Sequence, residues 1–273
     1  MTDVEIALAR RAVLGEGPTW DAATGRLLWV DILACEVHSY DPSTGADTVR
    51  TTPQHVGAAK PRASGGLVVN LRDGVGLYDP DGSFRWLAEW PEEGRRGNDA
   101  AVSPAGELWA GTMRYDEAPG GGRLRRVTPD GKVTTVLNDV TVSNGIAWSP
   151  DGRLMYYVDT PTRRIDVFEN DDRRVFAHVP GLPDGLTVDA DGCVWVALWG
   201  GGRVLRYTPA GVLDRAVEIP ARQTTACAFG GPGLRDLYIT TATTGAPADD
   251  AHAGSLFVLP DAGQGLPTRP FPA

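Results

Sequence analysis

Glu16, Asn98, Asn144 and Asp184 stand at one phase of a repeating sequence. Two carboxylates and two carboxamides brought to one point offer only oxygen donors. Hard divalent cations such as Ca²⁺, Mg²⁺ and Mn²⁺ prefer such a set, with water or substrate completing the shell. The two negative charges of Glu16 and Asp184 balance one divalent ion. Buried together without a cation, two carboxylates repel and one must take up a proton. Taken singly, Asn144 or Asp184 before a glycine reads as a turn former. Four polar side chains in phase favour the metal site.

The phase comes from the elements that must position these residues. Short runs rich in Val, Leu, Tyr and Trp, such as LLWVDI, LMYYVDT and CVWVALW, fill the chain between Asp-Gly, Pro-Asp-Gly and Thr-Gly turns. No segment of helix length keeps an apolar i, i+3, i+4 pattern, so the chain reads as all-β. A glycine followed by two strands recurs at Gly25, Gly66, Gly106, Gly152, Gly192 and Gly233, at spacings of 41, 40, 46, 40 and 41 residues. Short antiparallel strands repeating every ~40 residues mark a β-propeller with one four-stranded blade per repeat. Six repeats fill residues 1–273 as one six-bladed domain; a β-sandwich would not keep so regular a spacing. The leading VEIALARRAVL is expected to supply the outer strand of the last blade and close the ring. Each inner strand starts eight or nine residues upstream of its glycine, at Glu16, Ala58, Asn98, Asn144, Asp184 and Thr225. Inner strands line the central channel, so these positions converge on the axis. Asp73, Asp81, Asp130, Asp151 and Asp191, also before glycines, fall between strands and read as hairpin turns.

Composition narrows the function. With 26 Lys and Arg against 35 Asp and Glu, the net charge of −9 argues against a nucleic-acid or anionic-membrane surface. No apolar run is long enough to span a membrane, and the N-terminus lacks the basic start and apolar stretch of a signal peptide. Three widely spaced cysteines, Cys35, Cys193 and Cys227, argue against a disulfide framework and place the chain in a reducing cytoplasm. Other chemistries lack their parts. There is no GxSxG, no phosphate-binding glycine loop, and no His or Cys pair at zinc spacing. His38, His55, His178 and His252 share no repeat phase and read as packing or surface residues. The DADG at Asp189 lacks the glycine and terminal glutamate of an EF-hand loop. Trp20 and Trp199 lie near loop ends and are the tryptophans closest to a channel mouth.

Five segments carry a family resemblance: LGEGPTWD, RGNDAAVSPAGELWAGTM, VSNGIAWSPDGRLMYYVDT, LPDGLTVDADGCVWVALWGGGRVLRY and TTACAFGGPGLRDLYIT. From about Gly15 to Ser255 the chain resembles the senescence marker protein/regucalcin/gluconolactonase family, which includes luciferin-regenerating enzyme. The resemblance implies a six-bladed propeller with one divalent metal in its channel and, in many members, hydrolysis of sugar lactones. It places metal ligands on Glu16, Asn144 and Asp184, the channel asparagine near metal and substrate on Asn98, and a substrate-contacting arginine on Arg96. An acidic loop that touches the sugar falls on Asp116 or Glu117. Gly97 stands where relatives often carry an aromatic residue, which opens that wall. Diisopropyl fluorophosphatase propellers use a similar Glu-Asn-Asn-Asp set.

The expected function is therefore metal-dependent opening of a small sugar-type lactone. The divalent ion, Ca²⁺, Zn²⁺, Mn²⁺ or Mg²⁺, polarises the carbonyl, Asp184 activates water and Arg96 binds the substrate. Two other readings compete: a hydrolase of other esters or organophosphates on the same scaffold, and a non-catalytic propeller that binds calcium or a small ligand.

Overall fold

The computed structural model describes residues 3–170 and 172–273. Among them, 24 strands form six four-stranded sheets, each antiparallel throughout. Strand β1 (Glu5–Leu8) precedes the ring. Blade 1 holds β2 (Gly15–Asp21), β3 (Arg26–Asp31), β4 (Glu36–Asp41) and β5 (Ala46–Thr51). Blade 2 holds β6 (Val56–Pro61), β7 (Leu67–Leu71), β8 (Gly74–Tyr78) and β9 (Phe84–Glu89). Blade 3 holds β10 (Arg95–Val102), β11 (Leu108–Arg114), β12 (Gly122–Val127) and β13 (Val133–Val140). Blade 4 holds β14 (Ser143–Trp148), β15 (Leu154–Asp159), β16 (Arg164–Glu169) and β17 (Asp172–His178). Blade 5 holds β18 (Leu182–Val188), β19 (Val194–Trp199), β20 (Arg203–Tyr207) and β21 (Leu213–Glu218). Blade 6 holds β22 (Thr224–Gly230), β23 (Asp236–Thr241), β24 (Leu256–Leu259) and the returning β1.

That return closes the ring as expected. Ile6 pairs with Phe257 and Leu8 with Leu256, so one sheet draws strands from both ends of the described chain. The inner strands touch their neighbours in sequence around the axis, and β22 meets β2.

The core lies between blades rather than within them. Tyr156, Val158, Ile165 and Val167 of blade 4 meet Val194, Val196, Leu205 and Tyr207 of blade 5 in one buried cluster. Second strands such as β19 are buried on both faces, which explains their near-continuous Val, Leu and Trp. Outermost strands such as β13 and β17 are largely exposed and polar, which discourages pairing with another chain. His38 is a packing residue, fully buried and stacked on Trp29 at 3.8 Å between ring centres. The three cysteines are free. Among the described residues no helix is long and apolar enough to cross a membrane.

All six inner strands break register at the phase position. The shifts lie between Glu16 and Thr19, Val56 and Ala58, Gly97 and Ala100, Ser143 and Ile146, Pro183 and Leu186, and Thr224 and Ala226. A bulge bends a strand and re-aims a side chain. This device turns the polar residues toward the axis.

Candidate metal centre and substrate cavity

Glu16, Asn98, Asn144 and Asp184 all line one cavity of about 440 Å³ at one end of the channel, together with Arg96 and Glu117. All four phase residues are buried. Asn144–Gly145 and Asp184–Gly185 are not turns, as their dipeptides read alone would have it, but lie inside β14 and β18. Glycine is needed there for close approach. A Cβ on Gly145 would stand 2.7 Å from the Asp184 carbonyl oxygen, and one on Gly185 would stand 2.4 Å from Cβ of Ala226.

The hydrogen bonds sort the four. Glu16 Oε2 accepts from the Gly17 N–H at 3.0 Å. Asn98 is spent within the protein: its Oδ1 accepts from Arg96 Nη1 at 2.6 Å, and its Nδ2 donates to the Ser143 carbonyl at 2.9 Å. Asn144 Nδ2 donates to Thr160 Oγ1 at 3.0 Å, which leaves its Oδ1 without a partner. Asp184 Oδ1 is likewise buried and unpartnered. A buried oxygen left unsatisfied costs about 1–3 kcal/mol, so two of them on one cavity stand ready for a ligand that accepts oxygen donors. The donor set fits a hard divalent ion through Glu16, Asn144 and Asp184, whereas the Asn98 oxygen serves Arg96.

Electrostatics agree with that fit. Burial, then the neighbouring Asp99 carboxylate, pushes Glu16 up to about 8. Burial, then Glu16 and Asp99, pushes Asp184 well above the usual carboxylate range. Asp99 adjoins Asn98 and adds a third acid to the axis; the four-residue phase alone did not point to it.

The loop after β11 separates the two acidic candidates. Asp116 does not reach the cavity. It is exposed and held by Arg114 through two bonds of 2.8 Å, and it also caps the Ala118 N–H. Glu117 lines the cavity, its backbone reversed at φ 53°. Trp199 lines the same cavity, and Trp20 lines a cavity at the other mouth.

A family model described as SMP-30/Gluconolactonase/LRE-like region matches residues 14–243. The chain belongs to this family. Among its relatives, a Pseudomonas putida protein named 6-deoxy-6-sulfogluconolactonase is 38% identical, over 88% of this chain and 87% of that one. Pentonolactonase XacC of Haloferax volcanii is 36% identical over 93% of each chain. The crystal structure of regucalcin from Agrobacterium tumefaciens, described as a calcium-binding protein, superposes with a TM-score of 0.95 at 31% identity. The match covers 100% of this chain and 98% of that one. The SMP-30/gluconolactonase match thus spans the four phase residues, and the six-bladed architecture agrees with the fold of regucalcin.

Two cavity residues of this family member were not legible as such. Thr160 sits in a short 3₁₀ turn, Thr160–Thr162, and orients Asn144. Tyr115 lines the rim, with its hydroxyl 2.6 Å from His55 Nδ1. Thr160 closes the YYVDT run of the second strand, and its place at the end of that strand is the only signal the sequence offers for it.

Proposed function

We propose that this chain hydrolyses a small sugar-type lactone with one divalent ion held by Glu16, Asn144 and Asp184. The observation that carries the reading is the pair of buried, unpartnered oxygens, Asn144 Oδ1 and Asp184 Oδ1, in the cavity that Arg96 also lines. The lactonase names of the two relatives support the same substrate class. When bound, a divalent ion supplies Lewis acidity toward the lactone carbonyl.

The protein's own groups do the rest. Asp184 accepts a proton from the attacking water, whose oxygen bonds to the carbonyl carbon. The ring C–O bond then breaks, and the departing ring oxygen takes a proton to become a hydroxyl. Arg96, buried and steadied by Asn98, presents a guanidinium to the substrate's ring oxygens and the forming carboxylate. Glu117 and Tyr115 give the rim polar partners for hydroxyls. Leu14, Leu182 and Trp199 form an apolar wall that packs on a ring face and excludes water.

A second reading has its own observation. The wall formed by Leu33, Val142, Leu182 and Trp199 suits a less hydroxylated ester. A pH-indicator assay of metal-stripped protein tests both, with aldonolactones, γ-butyrolactone and an aryl ester, adding Ca²⁺, Mn²⁺, Mg²⁺ or Zn²⁺ in turn. The lactonase reading requires acid release from aldonolactones only with metal, and its loss in Asp184→Ala. Release from the aryl ester alone transfers the assignment to the second reading. No release from any substrate by metal-loaded protein removes the catalytic assignment.

A further inference from the structure

The channel has a second cavity at its opposite mouth, of about 510 Å³. Its walls are apolar and aromatic, with Trp20, Trp148, Phe229 and Ile146 among them. The segment Leu266–Pro270 runs across this mouth and supplies part of its wall. It is pinned at both ends: the Gly265 N–H donates to the Leu234 carbonyl at 2.8 Å, and the fully buried Phe271 pairs with Arg62.

The charged side chains in this wall are Lys60 and Arg269, both cations in a protein of net charge −9. Lys60 is 8% exposed. Its Nζ donates to Thr19 Oγ1 at 2.7 Å, and among the described residues no carboxylate oxygen lies within 4.0 Å of it. An ammonium has three donors, and one neutral hydroxyl answers only one of them. Its two remaining donors have no acid in direct contact, so the position suits an anion. Asp99 and Glu16, which act on Lys60 through space, are outside the lining of this cavity.

We propose that the opposite mouth binds a small organic carboxylate with an apolar body, its carboxylate on Lys60 Nζ and its body against Trp20, Trp148 and Phe229. The volume is of the size that takes small ligands, ~300–1,000 Å³. Arg269, exposed at the rim, adds attraction on entry. The site shares no lining residue with the metal centre and does not depend on the lactonase reading.

Calorimetric titration with benzoate, and with benzamide as its neutral counterpart, tests the site on the full chain. Saturable benzoate binding is expected, at least tenfold weaker for benzamide and at least tenfold weaker in Lys60→Met. It should survive Asp184→Asn. A second variant guards against misfolding of the first: Ala147→Phe narrows the cavity from another strand and leaves the Lys60 side chain in place, and it should also lose benzoate. No saturable binding overturns the proposal. So does equal affinity for benzamide, unchanged affinity in folded Lys60→Met or Ala147→Phe, or loss of binding in Asp184→Asn, which would move benzoate to the metal centre.

Discussion

Thr160 Oγ1 accepts a hydrogen bond from Asn144 Nδ2 at 3.0 Å, and this bond decides which end of the carboxamide is left for the cavity. The hydroxyl lies outside the donor set, so it acts as a positioning residue. Groups that orient metal ligands are typically worth ~10–100-fold in affinity. Thr160→Val keeps the shape and removes the acceptor. Metal affinity by titration is expected to fall about tenfold, with Thr160→Ser restoring it; unchanged affinity in the valine variant would mean that Asn144 is held by other contacts.

Arg96 bonds both Asn98 Oδ1 and the Gly97 carbonyl, at 2.6 and 3.0 Å, so its guanidinium is fixed before substrate arrives. Arg96→Lys retains the charge but loses the planar fork. The expected result is a kcat/KM lower by about 100-fold, with metal affinity unchanged. A variant that instead loses metal would place Arg96 in support of the cage rather than of the substrate.

Burial raises both acids, and Glu16, at about 8, holds a proton at neutral pH that a bound cation must displace. Metal affinity should therefore climb as pH rises through about 8. The sign for the metal-free fold is opposite. A carboxyl raised on folding adds stability below its unfolded value, and that stability is lost as pH rises through the folded one. Titration in two buffers of different ionisation enthalpy measures the released protons, and absence of release at pH 7 would contradict the assignment.

Asp189 gives a structural contrast. Its carboxylate accepts from the Cys193 N–H at 2.8 Å and from Trp195 Nε1 and Arg206 Nε at 2.9 Å each. It organises a blade turn and is buried at 2% exposure. Asp189→Ala strands these donors and should cost about 3–5 kcal/mol in denaturant unfolding, with metal affinity unchanged. Weakened metal binding in the folded variant would reopen a calcium role for the DADG loop.

How far the sequence carries depends on whether a residue sits on the repeat. Glu16, Asn98, Asn144 and Asp184 were legible because each occupies the same place on an inner strand, and six-fold geometry turns equal phase into nearness. Asp116 and Glu117 were not separable, since one left-handed residue at Glu117 reverses the loop, and no pattern of polarity announces that reversal. Thr160 escaped because it follows a second strand, off the phase. Lys60 escaped for a different reason: one lysine on an inner strand carries no motif, and only the burial of its ammonium without a partner acid singles it out.

The register break in all six inner strands has a consequence for how such a protein changes over time. The slip belongs to the repeat and not to the polar residue, for it is present at Ala58 and Thr225, where no acid or amide stands. The ring thus carries six equivalent sockets, four fitted with an acid or an amide. New chemistry at the centre requires only a single codon at a socket already shaped to present it, while the scaffold that holds the rest in place is left undisturbed.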